Sequence, residues 1–340
     1  MSDGSVFDIS VWFGDLKFKK ESDSEPEVDV VFLEKKETDA LKDRWLALLD
    51  QPRNAGQIQK SVPRLNLAAV AIESGFVNSA AEYHSLLRDV SIAVARSQIS
   101  ASLTDDKKII QAVETLDDLN ETANHLSERL FEWYSYYYPE LVFDENFVST
   151  VAETPEKASA TKMGAALDSK DSVLLQSFAK DISNLYSQKS ALEDYISEKM
   201  EAVAPNVSQI AGVVLGARLI SMAGGLKNLA TMPAGSLQVM GAEKAMMKHL
   251  RSRAPSPKHG IIFSHPVLNT APMRLRGKIA RTFASALSLA ARTDFYAGKL
   301  NPDIEKRMTQ KISQIQHNDA HKQKKAQTQK TNGGVSDGKE

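Results

Sequence analysis

Two segments with a seven-residue hydrophobic repeat constrain the fold of this chain more than any other feature. In the first segment, both seam positions are apolar or aromatic over four heptads: Ile109, Leu116, Ala123, Leu130 and Tyr137 on one series, and Ala112, Leu119, Leu126 and Trp133 on the other. In the second segment, the seam residues are Leu175, Ile182, Ile196 and Val203 on one series, and Phe178, Leu185 and Leu192 on the other. Repeats of this length predict coiled-coil helices. Amphipathic helices packed on a globular core are the alternative.

The two predicted helices are expected to fold back on each other as an antiparallel hairpin. Pro139 is expected to end the first helix and Pro205 the second, because proline breaks a helix interior. Lys189 and Lys199 interrupt the second seam, which costs stability but can fix register and partner choice. Residues 144–167 have no period and contain Pro155 and Gly164, which predicts a loop or a helical tip.

An isolated hairpin buries little apolar surface, so we expect a second copy of the chain to pack along it as a homodimer. The leucines expected to mediate this dimerisation are Leu116, Leu119, Leu126, Leu130, Leu185 and Leu192. The adjacent pair Asp117-Asp118 is expected to lie on the solvated face of the coiled coil, since neighbouring helical residues point about 100° apart.

Charge is distributed unevenly between the two parts of the chain, although the net charge of the 340 residues is only −1. Residues 204–340 hold 21 basic and 7 acidic residues, whereas residues 1–203 hold 21 basic and 36 acidic residues. From Lys244 to Thr293 there are ten Lys or Arg residues and no Asp or Glu. A folded basic segment of this kind is typical of a surface for phosphate backbones. We therefore expect the basic part to meet nucleic acid and the acidic part to meet protein.

The sequence contains no motif that indicates catalysis. It has no Cys, no P-loop, no HExxH and no nucleophile elbow, and its seven His lack metal-ligand spacing. His249 is interpreted as a helix-surface or core-edge residue. No apolar run approaches the roughly eighteen residues of a membrane helix, and the first residues do not form a signal peptide. We therefore expect a non-catalytic, soluble, cytoplasmic protein that binds neither metal, cofactor nor membrane.

His259 is the residue we single out for base recognition. It lies between Lys258 and Gly260, in a loop that Pro255 and Pro257 stiffen, and the glycine would let the backbone approach a ligand closely. An imidazole held there could stack on an unpaired base. The alternative is a histidine that only caps a turn.

Three cations at the start of a predicted helix are candidates for phosphate contacts. Arg276, Lys278 and Arg281 follow Pro272, and positions 278 and 281 share a helix face with Arg274 nearby. Such contacts position an RNA without reading its sequence.

The remaining segments complete a mainly α architecture with four parts. Residues 1–80 are predicted to form a small α/β domain, with strands within 6–18 and 28–33, a turn at Gly14-Asp15 and short helices around Trp45 and from Asn66. Residues 81–205 are predicted to form a helical connector and the antiparallel coiled coil, and residues 206–315 a compact all-α basic domain. The polar segment 316–340 is predicted to be a disordered tail.

Three blocks in the basic domain resemble the Nop domain. They are GAEKAMMKHL, PKHGIIFSHP and RGKIARTFASALSLAAR, in this order. The Nop domain marks the scaffold proteins of box C/D RNA-guided methylation particles and a spliceosomal relative. The segments IIQAVETLDDLNETANHLSERLFEWYSYYYPEL and LEDYISEKMEAVAPN are similar to the coiled-coil helices of the archaeal scaffold, so the resemblance covers about residues 80–315.

The resemblance implies a set of partners for this chain. The N-terminal domain would bind fibrillarin, the methyltransferase that itself binds S-adenosylmethionine, and the coiled coil would join two scaffold copies. The Nop domain would bind a kink-turn guide RNA together with a small kink-turn-binding protein. The scaffold would thereby position fibrillarin for 2′-O-ribose methylation of rRNA or tRNA. The alternative function is a stand-alone RNA-binding or RNA-chaperone protein without a methyltransferase partner.

The resemblance also bears on the candidate residues. The expected RNA-binding residues are Lys244, Lys248, Arg251, Lys258, His259, Arg276, Lys278 and Arg281, and the motif comprises Gly241, Ala242, Glu243, Lys244, Ala245, Met246, Met247 and Lys248. The family usually has ALFR after GAEK, whereas this chain has AMMK. This change removes an aromatic ring and replaces a bidentate arginine with lysine.

Overall fold

The computed structural model of this protein describes residues 5–20, 27–50, 66–144, 146–153, 163–252 and 254–332. The chain divides into two compact units, Met1–Leu103 and Thr104–Glu340, which are described separately below.

The first unit begins with a three-stranded antiparallel sheet. Strands β1 (Ser5–Val11), β2 (Gly14–Lys20) and β3 (Glu27–Leu33) lie in the order β1-β2-β3. Val11 pairs with Gly14, so the hairpin turn is Trp12-Phe13, and the turn expected at Gly14-Asp15 was wrong. Both turn residues are buried, and the Phe13 ring lies 5.3 Å from that of Phe76. The burial of these two large rings fixes the position of the turn and outweighs the preference of Gly14 for a turn position.

Three helices complete the first unit: α1 (Thr38–Asp50), α2 (Leu67–Glu73) and α3 (Ala80–Ser102). The start of α3 is capped, since Ser79 Oγ accepts from the Glu82 amide at 3.2 Å while Glu82 accepts from the Asn78 amide at 2.8 Å. The core of the unit contains Trp12, Phe13, Leu16, Leu41, Val70, Phe76, Tyr83, Val90 and Val94. Because α3 contributes to this core, the boundary predicted at residue 80 lies instead after Leu103.

The second unit begins with the predicted antiparallel hairpin. Helices α4 (Asp105–Tyr134) and α6 (Ser169–Val203) pack along each other, and the short α5 (Phe147–Glu153) covers the tip. One end of α4 shares a core with Ile196 and Met200, and its other end shares a core with Leu175 and Ile182. Helix α4 ends before Pro139, and Tyr137 Oη donates to Asp171 Oδ2 at 2.8 Å.

The hairpin buries part of its own seam, which corrects the expected dimer interface. Leu116 and Leu130 are fully buried within the chain, so they cannot contact a second copy while the hairpin is folded. Leu119, Leu126, Leu185 and Leu192 are half-buried. The centre of the seam is therefore buried between helices of the same chain. The edges of the seam remain accessible to a second copy.

An all-α domain follows the hairpin, as predicted. Its elements are α7 (Pro205–Ala211), α8 (Val213–Ala223), α9 (Leu226–Thr231), α10 (Ala234–Val239), α11 (Glu243–Ser252), a 3-10 turn (Ile261–Ser264), α12 (Pro266–Asn269), α13 (Arg276–Tyr296) and α14 (Asp303–Asn332). In the described part of the chain no single helix is long and apolar enough to cross a membrane. The bent pair α7 and α8 reaches that length and apolar composition only when its two helices are taken together.

The base of the hairpin and the all-α domain share one hydrophobic core. Ile109, Leu116 and Ile196 lie in the same cluster as Ile220, Leu237, Phe283 and Leu287. The boundary predicted at 205/206 therefore falls at the first residue of α7 and does not separate two cores.

Polar contacts reinforce this junction, and one of them involves Asp117. The Asp117 side chain is 45% exposed, so it lies on the partly solvated face that was expected, and its carboxylate also accepts from Arg218 Nε in α8 at 3.1 Å at both oxygens. Asp106 Oδ2 accepts from the Leu226 amide at 3.0 Å and caps the first turn of α9. Asp118 is also exposed, as expected.

A buried carboxylate ties α13 to the start of α7. Asp294 accepts from the amides of Asn206 and Val207 at 3.0 and 2.9 Å, where two otherwise unpaired helix donors lie. Burial raises the pKa of the Asp294 carboxyl, and these hydrogen bonds oppose that rise.

The C-terminal segment is helical where a disordered tail was expected. Helix α14 continues to Asn332, and residues 333–340 lie outside the described residues. Ile304, Met308 and Ile312 anchor its first turns in the core, and the residues after them include many Gln and Lys, which favour helix, and no Gly or Pro before Gly333.

Candidate nucleic-acid interface

The residues of the GAEK motif build the turn that starts α11. Gly241 has a φ of +82°, and its amide donates to Glu243 Oε1 at 2.8 Å. A Cβ at Gly241 would lie 3.2 Å from Ile261 Cβ, so this position favours glycine for its backbone conformation and for its close packing. Gly241 and Glu243 thus have structural roles, and the motif positions the helix that follows.

Helix α11 presents its polar residues outward, and none of its residues is buried. Lys244, Lys248 and Arg251 are exposed, as are Met247 and Leu250. His249 Nδ1 makes a hydrogen bond with the Ala254 carbonyl in the segment after the helix, which agrees with its interpretation as a core-edge residue.

The loop containing His259 is attached to the end of α10 by backbone hydrogen bonds. The Gly260 amide donates to the Gln238 carbonyl at 2.9 Å, and the Ile261 amide donates to the Met240 carbonyl at 2.7 Å. A Cβ at Gly260 would lie 1.8 Å from the Met240 oxygen. Glycine at this position therefore allows close approach to the chain's own backbone, which corrects the expectation that it serves a ligand.

His259 is part of a stack that the sequence did not predict. Its ring lies parallel to that of Phe263, with 4.4 Å between centroids and an interplanar angle of 11°. The guanidinium carbon of Arg276 lies 5.0 Å from the centre of the same Phe263 ring. Burial, and then the charges of Arg276 and Lys258, lower the pKa of His259, so its imidazole is neutral at physiological pH.

Arg276 supports this stack instead of pointing freely into solvent. Its Nε donates to the Ala271 carbonyl at 2.9 Å and its Nη2 to the Asn269 carbonyl at 3.1 Å. These bonds hold the start of α13 against the end of α12. The geometry thus favours a positioning role for Arg276 over the phosphate contact predicted from the sequence.

Three of the predicted cations meet in an open groove of about 480 Å³, which we call the basic groove. It is lined by Gly235, Gln238, Val239, Met246, Ser256, Pro257, Lys258, Arg274, Gly277, Lys278 and Arg281. Four of these residues are cationic and none is acidic. The Lys258 side chain lies beside Gly277, where an added Cβ would be in ordinary van der Waals contact with its carbons at 3.8–4.0 Å. The structure therefore brings Lys258, Lys278 and Arg281 together with Arg274.

Arg274 has an intramolecular partner from α14. Its Nη2 lies 2.7 Å from Asp319 Oδ2, and its Nε lies 3.1 Å from Asp319 Oδ1. Gln323 Nε2 also donates to Asp319 Oδ2 at 2.7 Å. Sequence reasoning missed this carboxylate, because Asp319 lies in the segment that was expected to be disordered.

The chemistry of the groove is that of an anion site. Arg and Lys side chains on its walls can contact phosphate oxygens, and the described residues contain no group of three or more His, Asp or Glu that could hold a metal ion. Arg281 and Lys278 are exposed, so a large polyanion can reach them.

Comparison with known proteins places these observations in a family context. A profile of the Nop family, described as "snoRNA binding domain, fibrillarin", matches residues 144–317. A NOP5 family protein of Methanocaldococcus jannaschii is 36% identical over 338 residues, which cover 88% of this chain and 81% of that protein. Nucleolar protein 58 of Candida glabrata is 32% identical over 63% of this chain, and nucleolar protein 56 of Homo sapiens is 32% identical over 60%.

The chain spans less than half of the two nucleolar proteins, 48% and 41% of their lengths respectively. A solved structure described as a fibrillarin/Nop5p complex aligns with 91% of this chain and 100% of its own, at a TM-score of 0.45 and 22% identity.

Proposed function

Because this chain belongs to the Nop family, we propose that it is the non-catalytic scaffold of a box C/D ribonucleoprotein. One observation carries the proposal. Within the matched residues, Lys258, Lys278 and Arg281 line one groove without any acidic residue. A groove of this kind suits the phosphate backbone of a guide RNA.

The finer parts of the proposal concern the identity of the RNA and the proteins. The RNA would be a kink-turn guide RNA, bound together with a small kink-turn-binding protein. The N-terminal unit would bind fibrillarin, the protein that the description of the matching family profile names. The acidic balance of residues 1–203 supports a protein partner on that part of the chain.

The reaction would be 2′-O-ribose methylation, performed by fibrillarin with its own S-adenosylmethionine. The scaffold would contribute proximity, by holding the guide–target duplex and the methyltransferase in one particle. A second copy would pack along the exposed edges of the hairpin seam. The cytoplasmic location stays a prediction.

Purification of a tagged full-length copy from its own cells tests this proposal. We expect mass spectrometry to find a methyltransferase and a small RNA-binding protein, and sequencing to find guide RNAs. Recovery of RNA without any methyltransferase would favour the stand-alone RNA-binding or chaperone function. Recovery of neither would contradict the proposal.

Lys278→Ala and Arg281→Ala provide a direct test of the basic groove. Each variant removes one phosphate contact, so binding to all RNAs should weaken and become less steeply dependent on salt. Lys180→Ala is the matched control, since it removes an exposed positive charge from the hairpin and not from the groove.

A further inference from the structure

A second groove lies between α13 and α14 and shares one lining residue, Arg281, with the basic groove. This second groove, which we call the α13–α14 groove, has a volume of about 380 Å³. Its lining residues are Arg281, Thr282, Ser285, Ala286, Leu289, Ile304, Arg307, Met308 and Lys311.

Three cations stand at the rim of the α13–α14 groove. Arg281, Arg307 and Lys311 are exposed, and in the described part of the chain no carboxylate forms an ion pair with any of them. Arg307 and Lys311 lie one turn apart on α14, so they share a helix face. The groove therefore offers three exposed positive charges, one of which, Arg281, it shares with the basic groove.

The floor of the groove is apolar and its wall carries two hydroxyl groups. Ile304 and Met308 are buried, and Leu289 is 47% exposed at the edge. Thr282 Oγ1 donates to the Lys278 carbonyl at 3.1 Å, and Ser285 Oγ donates to the Arg281 carbonyl at 2.8 Å. Because their hydrogens are used within the helix, these oxygens remain acceptors for a donor such as a ribose 2′-hydroxyl.

We propose that the α13–α14 groove binds a single-stranded continuation of the RNA that occupies the basic groove. Arg307 and Lys311 contact its phosphates, and its sugars and bases lie over the apolar floor. A cationic rim around an apolar floor is the arrangement that single-stranded nucleic acids require. This inference rests on the proposed RNA-binding function and extends the RNA path beyond the residues that the sequence motifs indicated.

Length-dependent binding by the full-length protein tests the inference. The probes are a kink-turn guide RNA with its small binding protein, and the same RNA extended at either end by about ten single-stranded nucleotides. We expect Arg307→Ala and Lys311→Ala each to weaken binding of one extended RNA about fivefold and to lower its salt slope by about one. Binding of the unextended RNA should not change.

Lys306→Ala is the matched control for these variants. Lys306 lies on the same helix but does not line the groove, and its Nζ is 4.0 Å from Asp303. It should leave both RNAs unaffected. If Arg307→Ala and Lys311→Ala have no effect on either extended RNA while Lys278→Ala still weakens binding, the second groove is not an RNA site and the proposed function survives. If Lys278→Ala also has no effect, the proposed function fails as well.

Cross-linking gives an independent readout that does not depend on affinity. The chain contains no Cys, so a single Ser285→Cys carries one photoreactive label in the groove. A label at Thr309→Cys, which is exposed on α14 outside the groove, is the control. We expect the label at 285 to cross-link to the single-stranded extension and the label at 309 not to do so. Cross-linking from 285 to a protein, or to no molecule at all, would overturn the proposal.

Discussion

The guanidinium of Arg274 and the carboxylate of Asp319 form a bidentate ion pair that joins the basic groove to α14. Arg274 Nη2 lies 2.7 Å from Asp319 Oδ2, and Arg274 Nε lies 3.1 Å from Asp319 Oδ1. An RNA phosphate at this position would have to replace the carboxylate. Helix α14 therefore competes with a polyanion for one of the four cations of the groove.

Asp319→Asn should strengthen RNA binding by releasing Arg274. The ion pair is partly exposed, with Arg274 at 56% of its side-chain surface, so its contribution is at most about 1 kcal/mol. We expect affinity to rise two- to fivefold at low salt, about the change such an energy allows, and its salt dependence to steepen. Titrations by fluorescence anisotropy would measure both effects.

Asp303→Asn is the control for Asp319→Asn, because it removes an equal charge from the same helix and its carboxylate lies near Lys306. An equal gain from both variants would mean that net charge alone is responsible. A loss of affinity in Asp319→Asn would show that the pair helps to form the groove.

His259→Ala should reduce the preference for kink-turn RNA and leave the salt dependence of binding unchanged. The imidazole is uncharged at neutral pH and stacks on Phe263, so its contribution concerns shape and stacking and not phosphate charge. We expect a loss of about 1–3 kcal/mol on kink-turn RNA and almost none on a scrambled RNA. His259→Phe, which keeps a flat ring over Phe263, should restore most of the binding. Equal losses on both RNAs would mean that the residue only supports the loop.

Gly260→Ala should destabilise the protein strongly. A Cβ there would lie 1.8 Å from the Met240 carbonyl oxygen, so the loop or the end of α10 must move. We expect the free energy of unfolding to fall by about 2–3 kcal/mol in chemical denaturation. Gly235→Ala is the matched control: it lies in α10 with nothing within 4 Å of the added Cβ, and should stabilise by up to about 1 kcal/mol. Similar stability in the two variants would contradict the packing described here.

Leu119→Asp and Leu130→Asp should separate self-association from folding of the hairpin. Leu119 is half-buried at the edge of the seam, whereas Leu130 is fully buried within the chain. We expect Leu119→Asp to shift the protein from dimer to monomer in light scattering with a modest change in melting temperature. Leu130→Asp should lower the melting temperature whatever the oligomeric state, because it buries an unpaired charge. A wild-type protein that is already monomeric at micromolar concentration would remove the basis for a dimer.

Acidification below pH 6.5 should destabilise the region around His265. This side chain lies 4.8 Å from the Phe283 ring, its Nδ1 accepts from the Val267 amide at 3.3 Å, and burial lowers its pKa in the folded state. Since the unfolded state binds the proton more readily, stability is complete above pH 6.5 and is lost as pH falls through the lowered folded pKa.

His265→Asn isolates this effect, because asparagine keeps a capping acceptor for Val267 but cannot titrate. Melting temperatures measured between pH 7.5 and pH 5 should fall less in the variant than in the wild type. An identical fall in both proteins would assign the acid sensitivity to other groups.

Much of the fold could be predicted because its strongest signals are periodic. The heptads of α4 and α6 specify helices with one buried stripe, and two such stripes of similar length pair within the chain. The heptads do not predict which other parts of the chain contact those helices. Asp117 occupies an outward position in the repeat, and only the tertiary fold brings Arg218 beside it.

The candidate site divides in the same way. Spacing along α13 correctly placed Lys278 and Arg281 on one face, but it could not indicate that Arg276 turns back to the carbonyls of Asn269 and Ala271. Asp319 was missed because composition alone describes its segment as polar. Helix formation there depends on the anchoring of Ile304 and Met308 in a core formed by distant residues.

Because the hairpin shares a core with the all-α domain at its base, the length of its helices sets the distance between that domain and the tip. Helix α4 has 30 residues, which at about 1.5 Å per residue corresponds to roughly 45 Å. Because Ile109 and Leu116 are buried in the core of the all-α domain, the base of the helix has a fixed orientation there. Inserting one residue in α4 would rotate everything beyond it by about 100° and misalign the seam. The seam of the hairpin therefore stays in register only when both helices gain whole heptads together. Each added heptad lengthens the hairpin by about 10 Å.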